Sequence, residues 1–333
     1  MNDKNHPPLA GSAIYVAGHR GLVGSAILRR LAAEPCGRII TRSHAELDLT
    51  DQSAVHRFFA NEHPEYVFLA AAKVGGILAN KEFPADFIHH NLAIQTNVMQ
   101  AAQDTGVKRL LFLGSSSIYP RECPQPIREA YLLTGLLEPT NRPYAIAKIA
   151  GIEMCWAFNR QHGARFLAAM PTNLYGPNDS YDLAHAHVLP ALMRKMHDAK
   201  AAGAAEVTVW GTGMARREFL HVDDMADACV FLMNLPEGPF DSIAHSESEP
   251  PLVNIGCGED LTIRELAELL RGVVGFSGHL TFDASKPDGT PRKLLDVSRM
   301  QALGWTSSIP LRQGLEGVYQ AYLRSLQPSQ SNK

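Results

Sequence analysis

Short apolar runs alternate with helical patterns through the first third of the chain. Each apolar run is only a few residues long, as expected for a buried strand, and each is followed by a stretch with helical spacing. Because parallel strands need helical crossovers and are buried on both faces, the alternation predicts an α/β fold with a doubly wound parallel sheet. The predicted strands are Ala13–Ala17, Arg38–Thr41, Tyr66–Ala70 and Arg109–Leu113, and the predicted helices are Gly21–Ala33, Asp51–Glu62 and Phe87–Thr105.

A change of composition after Asp179 predicts a second, smaller domain that is interleaved with the first. A chain of 333 residues is long enough for two such parts. The predicted domains are 10–178 plus about 214–256, and about 179–213 plus 257–326, the latter mainly C-terminal. The predicted elements are helices His187–Ala202, Asp223–Leu235 and Thr262–Val274, strands Val207–Trp210 and Glu218–Val222, a loop Gly211–Arg217 and an exposed connection Pro236–Pro251.

Composition and charge exclude several classes of protein. Hydrophobic residues make up 45% of the chain and the net charge is −3, so we expect a globular protein without a nucleic-acid or membrane partner. The first apolar run is too short for a signal peptide or a membrane span. The five cysteines are scattered without a C-x-x-C pair, which favours a reducing cytoplasm, and we see no ligand spacing for a metal.

A glycine-rich loop joins the first predicted strand to the first predicted helix. Its glycines, Gly18, Gly21 and Gly24, are spaced three apart. Such glycines let the backbone turn tightly and approach a pyrophosphate, while the helix N-terminus supplies amide donors. The position of the loop at the start of a βαβ unit predicts a Rossmann-type dinucleotide site in the larger domain.

The second predicted strand favours NADP(H) over NAD(H). It is followed by Arg42, and no carboxylate stands where an NAD enzyme holds the ribose 2′-hydroxyl. Arg20 and Arg42, aided by His44, instead suit a 2′-phosphate, because guanidinium groups bind phosphate oxygens bidentately. A solvated Arg42 is the alternative.

Ser115, Tyr144 and Lys148 form a ketone-reducing pattern. Tyr144 and Lys148 are four residues apart and therefore share one helix face, while Ser115 follows an apolar strand. A phenol can protonate a carbonyl oxygen that receives hydride, and we expect the nearby ammonium group to lower the pKa of Tyr144. A serine hydroxyl can orient the same oxygen.

The order of these motifs resembles the extended short-chain dehydrogenase/reductase superfamily, and longer strings resemble its GDP-L-fucose synthase family. The resemblance covers nearly the whole chain. It implies an NADPH-dependent enzyme that epimerises C3 and C5 of GDP-4-keto-6-deoxy-D-mannose and then reduces C4. The strings are Ala17–Gly21, Ala71–Ile77, Pro143–Lys148, Met170–Pro177, Arg217–Asp224 and Lys286–Lys293.

The resemblance also implies roles for individual residues. His187 would return protons during epimerisation, and a homodimer is expected. The catalytic set is Ser115, Ser117, Tyr144, Lys148 and His187. The cofactor-binding set is Gly18, His19, Arg20, Gly21, Leu22, Val23, Gly24, Arg42, His44, Asp48, Leu49, Ala71, Leu113, Gly114, Lys148, Pro171, Asn173, Leu174 and His187. The substrate-binding set, for the GDP-sugar, is Ser115, Ser116, Tyr144, Asn173, Lys195, Trp210, Arg217, Asp288 and Lys293.

Ser117 departs from the pattern of that family, in which a cysteine at this position removes the C3 and C5 protons. A thiol has a reference pKa of about 8.5 and an alcohol is far less acidic, so serine is a poor base. Three interpretations stay open. The base is relocated, with His187 acting beside Ser117; the protein is a C4 reductase for a related GDP-4-keto sugar; or a cysteine has been replaced. Cys123, six residues further on, is no obvious substitute.

Two other functions share parts of the pattern. A nucleotide-sugar 4-epimerase with retained NAD would use the same three residues, although the missing carboxylate after the second strand argues against it. A non-catalytic nucleotide-binding protein would not need an intact Ser115, Tyr144 and Lys148.

Overall fold

A six-stranded parallel sheet forms the centre of the larger part of the molecule. The structure is a computed structural model, and it describes residues 7–183, 186–286 and 288–327. The strand order is β2-β1-β3-β4-β5-β9, and every neighbouring pair in it is parallel. The strands are β1 (Ala13–Ala17), β2 (Arg38–Ile40), β3 (Tyr66–Leu69), β4 (Arg109–Leu113), β5 (Phe166–Pro171) and β9 (Leu252–Ile255).

Helices cover both faces of this sheet. Side chains alternate along β1, so that Ile14 and Val16 enter one buried cluster and Tyr15 and Ala17 enter another. Helix α1 packs against α7 over the first cluster, and α4 packs against α5 over the second. The helices are α1 (Leu22–Leu31), α2 (Gln52–Glu62), α3 (Ile77–Glu82), α4 (Pro84–Asp104), α5 (Arg142–His162), α7 (Val222–Met233) and α8 (Glu237–Ala244).

A third buried cluster forms the smaller part of the molecule, around Met193, Leu266 and Leu315. Its longest strand, β8 (Arg216–His221), pairs with β6 (Asn173–Tyr175), β10 (Asp260–Thr262) and β12 (Arg292–Lys293). Strands β7 (Glu206–Trp210) and β11 (His279–Asp283) pair with each other. The remaining helices are α6 (Val188–Ala201), α9 (Ile263–Val274), α10 (Ser298–Leu303) and α11 (Leu311–Leu326).

The fold class is confirmed, and each predicted helix and strand is present with ends within three residues of those predicted. The predicted exposed connection Pro236–Pro251 is wrong in its first half, because α8 lies there and Phe240 is fully buried beneath the guanidinium of Arg109. The predicted loop Gly211–Arg217 is also too long, since β8 begins at Arg216.

The predicted domain boundaries stay a prediction. Leu295 packs in the second cluster, and Met300 and Trp305 pack in the first, so this part of the predicted smaller domain contacts the cores of the large sheet. Within the described ranges, no helix is both long and apolar enough to cross a membrane. Pro287, one residue of the resembling strings, lies outside the described residues.

Candidate active site

Ser115, Tyr144 and Lys148 come together beyond the carboxyl end of β4. Ser115 begins a short 3-10 turn there, and its Oγ accepts a hydrogen bond from the backbone N–H of Ser117 at 3.3 Å. Tyr144 and Lys148 lie on the first turns of α5. The Ser115 hydroxyl is near enough to the Tyr144 phenol to lower its pKa, and Lys148 Nζ donates to the carbonyl of Leu113 at 2.7 Å. The predicted trio is therefore one local cluster.

The pKa of Tyr144 moves in the opposite direction to our expectation. Burial raises it to about 12, and the nearby Ser115 hydroxyl opposes this only in part. Burial also lowers the pKa of Lys148 to about 7. The ammonium group is directed at the Leu113 carbonyl and lies 5.9 Å from the centre of the Tyr144 ring, so it does not offset the cost of burying a phenolate. Tyr144 is consequently protonated at neutral pH, as a proton donor must be.

The glycine loop has the close backbone approaches that a dinucleotide cradle needs. Gly18 has a φ of +81°, and a Cβ placed on it would lie 2.7 Å from the backbone nitrogen of Ala71. A Cβ on Gly24 would lie 2.2 Å from the carbonyl oxygen of Gly18. Gly21 precedes α1, whose first amides remain free to donate. These residues fit a bound pyrophosphate.

One cleft of about 700 Å³ joins the glycine loop to Ser115, Tyr144 and Lys148, the predicted catalytic cluster. His19 and Arg20 are not part of its lining, and neither are four of the predicted substrate residues, Lys195, Trp210, Arg217 and Asp288. The predicted residues that line it are Gly18, Gly21, Leu22, Val23, Gly24, Arg42, His44, Asp48, Leu49, Ala71, Leu113, Gly114, Ser115, Ser116, Ser117, Tyr144, Lys148, Pro171, Asn173, Leu174, His187 and Lys293.

Arg42 has a protein partner at the outer end of this cleft. Its Nη2 donates to Glu62 at 2.5 Å, and its guanidinium lies 5.4 Å from the Phe58 ring centre. His44 is exposed and lies 3.8 Å from an oxygen of Asp48. The side chain of Arg42 is therefore held against α2 while it lines the cleft, and its role at a 2′-phosphate stays a prediction.

Three cations beyond the catalytic cluster have no carboxylate partner among the described residues. Lys195 lies 5.1 Å above the ring of Trp210, and Arg217 donates only to the backbone carbonyls of Arg216 and Asp288. Lys293 pairs with Arg217 through the strand backbone, and its side chain has neither an ion pair nor a hydrogen bond in the described part of the chain. Burial, with a smaller contribution from Arg217, lowers the pKa of Lys293 to about 8. Unpaired cations in partly buried positions are suited to bind an anion.

Trp210 and Asp288 flank these cations in different ways. The indole of Trp210 is 61% exposed, so a ligand can reach it. Both carboxylate oxygens of Asp288 accept hydrogen bonds from Thr212, which fixes the turn after β7. The structure thus gives Asp288 a role in shaping the loop that follows Trp210.

His187 and Ser117 occupy the cleft near the catalytic cluster. His187 directly precedes α6, and its side chain is exposed to the cleft. Desolvation by the surrounding protein lowers the pKa of its imidazole, and the positive charge of Lys293 lowers it further. Both effects favour the neutral form. Ser117 Oγ accepts a hydrogen bond from Asn141 Nδ2 at 3.0 Å. Burial raises the pKa of the Cys123 thiol, so this cysteine is no ready thiolate.

Sequence reasoning missed Lys73 and Asn141. Lys73 follows β3 at the carboxyl edge of the sheet, a position that marks ligand sites in such folds, and it lines the cleft while pairing with Asp86 at 2.8 Å. Asn141 contacts Ser117 from 24 positions away, and no local sequence signal announces that contact.

Comparisons with known proteins fit this arrangement. Residues 14–244 match the NAD dependent epimerase/dehydratase family. The chain is 57% identical over 326 residues to GDP-L-fucose synthase 1 of Arabidopsis thaliana, a match that covers 98% of this chain and 96% of that protein. It is 52% identical over 314 residues to the GDP-L-fucose synthase of Escherichia coli strain K12, covering 94% of this chain and 97% of that one.

A solved structure agrees in fold and cofactor. It is described as MlghC, a GDP-mannoheptose C4 reductase from Campylobacter jejuni with NADP bound. Its TM-score is 0.85 at 38% identity, and the match covers 94% of this chain and 98% of that chain.

The chain therefore belongs to the NAD dependent epimerase/dehydratase family, and it carries a Rossmann-type parallel sheet with Ser115, Tyr144 and Lys148 in one cleft. Within that family it groups with the GDP-L-fucose synthases, as the resemblance implied. It is an NADP(H)-dependent enzyme of this type, and the cofactor prediction is confirmed.

Proposed function

We propose that the protein converts GDP-4-keto-6-deoxy-D-mannose to GDP-L-fucose, inverting C3 and C5 and reducing the C4 ketone with NADPH. The observation that carries the proposal is the pairing of a ketone-reducing cluster with unpaired cations next to the same cleft. A keto-sugar joined to a diphosphate needs both. The names of the relatives at 52% and 57% identity supply the nucleotide and the sugar.

The catalytic cluster accounts for the reduction. Ser115 and Tyr144 line the same cleft and would both donate to the C4 oxygen of the sugar. NADPH, when bound across the glycine loop, supplies the hydride to C4. Tyr144, protonated at neutral pH, then gives its proton to the developing alkoxide. Lys148 lies one turn away, where it would also hold the nicotinamide ribose.

The unpaired cations account for the nucleotide part of the substrate. Arg217 and Lys293 are adjacent in the β8–β12 register, so their charges would act together on one bound diphosphate. Lys195 lies over Trp210, whose exposed face would stack on a planar or sugar ring.

Epimerisation would use the same oxygen. Removal of the C3 or C5 proton leaves an enolate at O4, which Ser115 and Tyr144 stabilise. The neutral imidazole of His187 is suited to exchange protons with the sugar.

The test is incubation with GDP-4-keto-6-deoxy-D-mannose and NADPH in deuterated water. We expect NADPH oxidation, a GDP-6-deoxyhexose product, and deuterium at C3 and C5 by mass spectrometry and NMR. Absence of NADPH oxidation with this substrate overturns the proposal.

A second candidate is a C4 reductase of a related GDP-4-keto sugar without epimerisation. Ser117, in place of a more acidic thiol, favours it, and the Campylobacter jejuni relative is described as a C4 reductase. NADPH oxidation with no deuterium at C3 or C5 would select this candidate. The two predicted domains, a homodimer and a cytoplasmic location belong to the proposal in either case.

A further inference from the structure

Ser117 is tethered to a residue that precedes the catalytic helix. Asn141 Nδ2 donates to Ser117 Oγ at 3.0 Å, and Asn141 stands three residues before Tyr144. Its other amide atom, Oδ1, is buried and has no hydrogen-bond partner in the described part of the chain. The tether therefore links the two segments that supply the catalytic groups.

Helix capping does not explain Asn141. Asparagine at the residue before a helix commonly accepts a hydrogen bond from one of the first backbone amides. Here Asn141 holds that position before α5, but its side chain makes no capping bond. The side-chain Nδ2 of Asn141 donates to Ser117 instead, and its Oδ1 is left buried without a hydrogen-bond partner in the described part of the chain.

The tether fixes the role of the Ser117 hydroxyl. A hydroxyl has one proton to donate and two lone pairs that can accept. Asn141 Nδ2 donates to one lone pair of the Ser117 oxygen. No described residue accepts the proton of Ser117, and Ser117 lines the cleft. The proton is therefore available to a ligand in the cleft.

We propose that Asn141 is a positioning residue that makes Ser117 a hydrogen-bond donor to the keto sugar, not a base for its carbon-bound protons. The inference rests on the proposed function for the identity of the ligand. Proton exchange at C3 and C5 then falls to other groups in the cleft, of which His187 is one. In this view Ser117 adds a contact to the sugar beside those of Ser115 and Tyr144.

A thiol placed at position 117 tests the tether without any assay of activity. A hydrogen bond to an anion is stronger than one to a neutral acceptor, so a donating Asn141 favours the thiolate. In Ser117→Cys we expect the thiol to be about tenfold more acidic than in Ser117→Cys/Asn141→Ala. The measurement is the pH dependence of iodoacetamide alkylation, followed on the peptide by mass spectrometry so that the five native cysteines do not interfere.

The matched control is Ser117→Cys/Thr140→Ala. Thr140 is the exposed neighbour of Asn141 and bonds only to Glu138, so its removal should leave the acidity of the thiol unchanged. Equal acidity with and without Asn141, or a less acidic thiol in its presence, would overturn the inference. The latter result would mean that Asn141 presents its oxygen to position 117.

A double-mutant cycle separates this inference from the proposed function. Ser117→Ala and Asn141→Ala should each lower kcat/KM for NADPH-dependent reduction of GDP-4-keto-6-deoxy-D-mannose by about tenfold, and the double variant should be no worse than Ser117→Ala. Multiplicative losses would contradict a role of Asn141 through Ser117. If the parent protein oxidises no NADPH, the proposed function fails, while the thiol acidity still decides the tether.

Discussion

The two ends of the cleft differ in the chemical groups that they present to a ligand. At the cofactor end, the backbone of Gly18, Gly21 and Gly24 forms the cradle, and Arg42 is already paired with Glu62. At the substrate end, Lys293 lines the cleft beside Arg217 of the paired strand, and neither forms an ion pair with a described carboxylate. A backbone cradle is complete before its ligand arrives, whereas unpaired charges gain their partner only from the ligand. We therefore expect the two ends to respond differently to substitution, salt and pH.

The largest expected effect lies between the two ends. Tyr144→Phe keeps the ring against Phe87 and removes only the hydroxyl that protonates the C4 oxygen. The value of kcat for NADPH oxidation should fall by about 1,000-fold, as for loss of a general acid. Dissociation constants for NADPH and for GDP, measured by calorimetry, should change by less than about twofold. If the affinity for NADPH or for GDP fell as much as kcat, the cofactor end or the substrate end would depend on the Tyr144 hydroxyl, which contradicts this prediction.

Removal of charge at the substrate end should produce the next largest effect. Arg217→Met and Lys293→Met each remove an unpaired cation from the proposed diphosphate site and should weaken GDP binding by about 10-fold to 100-fold. NADPH binding should be almost unaffected. Lys108→Met is the control, because this lysine pairs with Glu65 on the surface away from the cleft. Unchanged GDP binding in both substrate-end variants would show that the diphosphate does not bind at this site.

Arg42→Met is the corresponding change at the cofactor end, and its effect should be smaller. Because Arg42 is already paired with Glu62, a 2′-phosphate must share the guanidinium with that carboxylate. We expect NADPH to bind about tenfold more weakly and NADH about equally well, since only NADPH carries the extra phosphate. The measurement is the ratio of the two dissociation constants. An equal loss for both cofactors would place Arg42 away from the 2′-phosphate.

The two ends also differ in how far the sequence predicts them. The glycine cradle is local, because three glycines within seven residues, at the junction of a strand and a helix, are enough to predict it. The substrate end depends on residues such as Arg217 and Lys293, which stand 76 positions apart and meet only through the β8–β12 pairing. Without the family resemblance, Lys293 would be assigned to the solvated surface. The distance between partners in sequence, not their chemistry, sets what can be predicted.

The wrong predictions have a different origin, which is the burial of Phe240 and Tyr144 in the folded protein. The prolines and serines around Phe240 indicate an exposed connection, so the sequence does not predict helix α8. Burial of the Phe240 ring against Arg109 stabilises the helix instead. The pKa of Tyr144 was predicted to fall because Lys148 is four residues away, but burial and the direction of the ammonium group determine the result. Spacing along a helix gives proximity, and it gives neither solvation nor orientation.

A change of pH should give the smallest contrast between the two ends. The pKa of Lys293 is lowered to about 8, so its charge is present below that pH and is lost as the pH rises through it. GDP should accordingly bind more weakly at pH 9 than at pH 7, by less than about tenfold, because bound diphosphate favours the charged lysine. Backbone amides do not titrate, so the glycine cradle contributes no such step to NADPH binding. Lys293→Met should flatten the pH profile for GDP, and a variant that kept the parent's profile would assign the titration to another group.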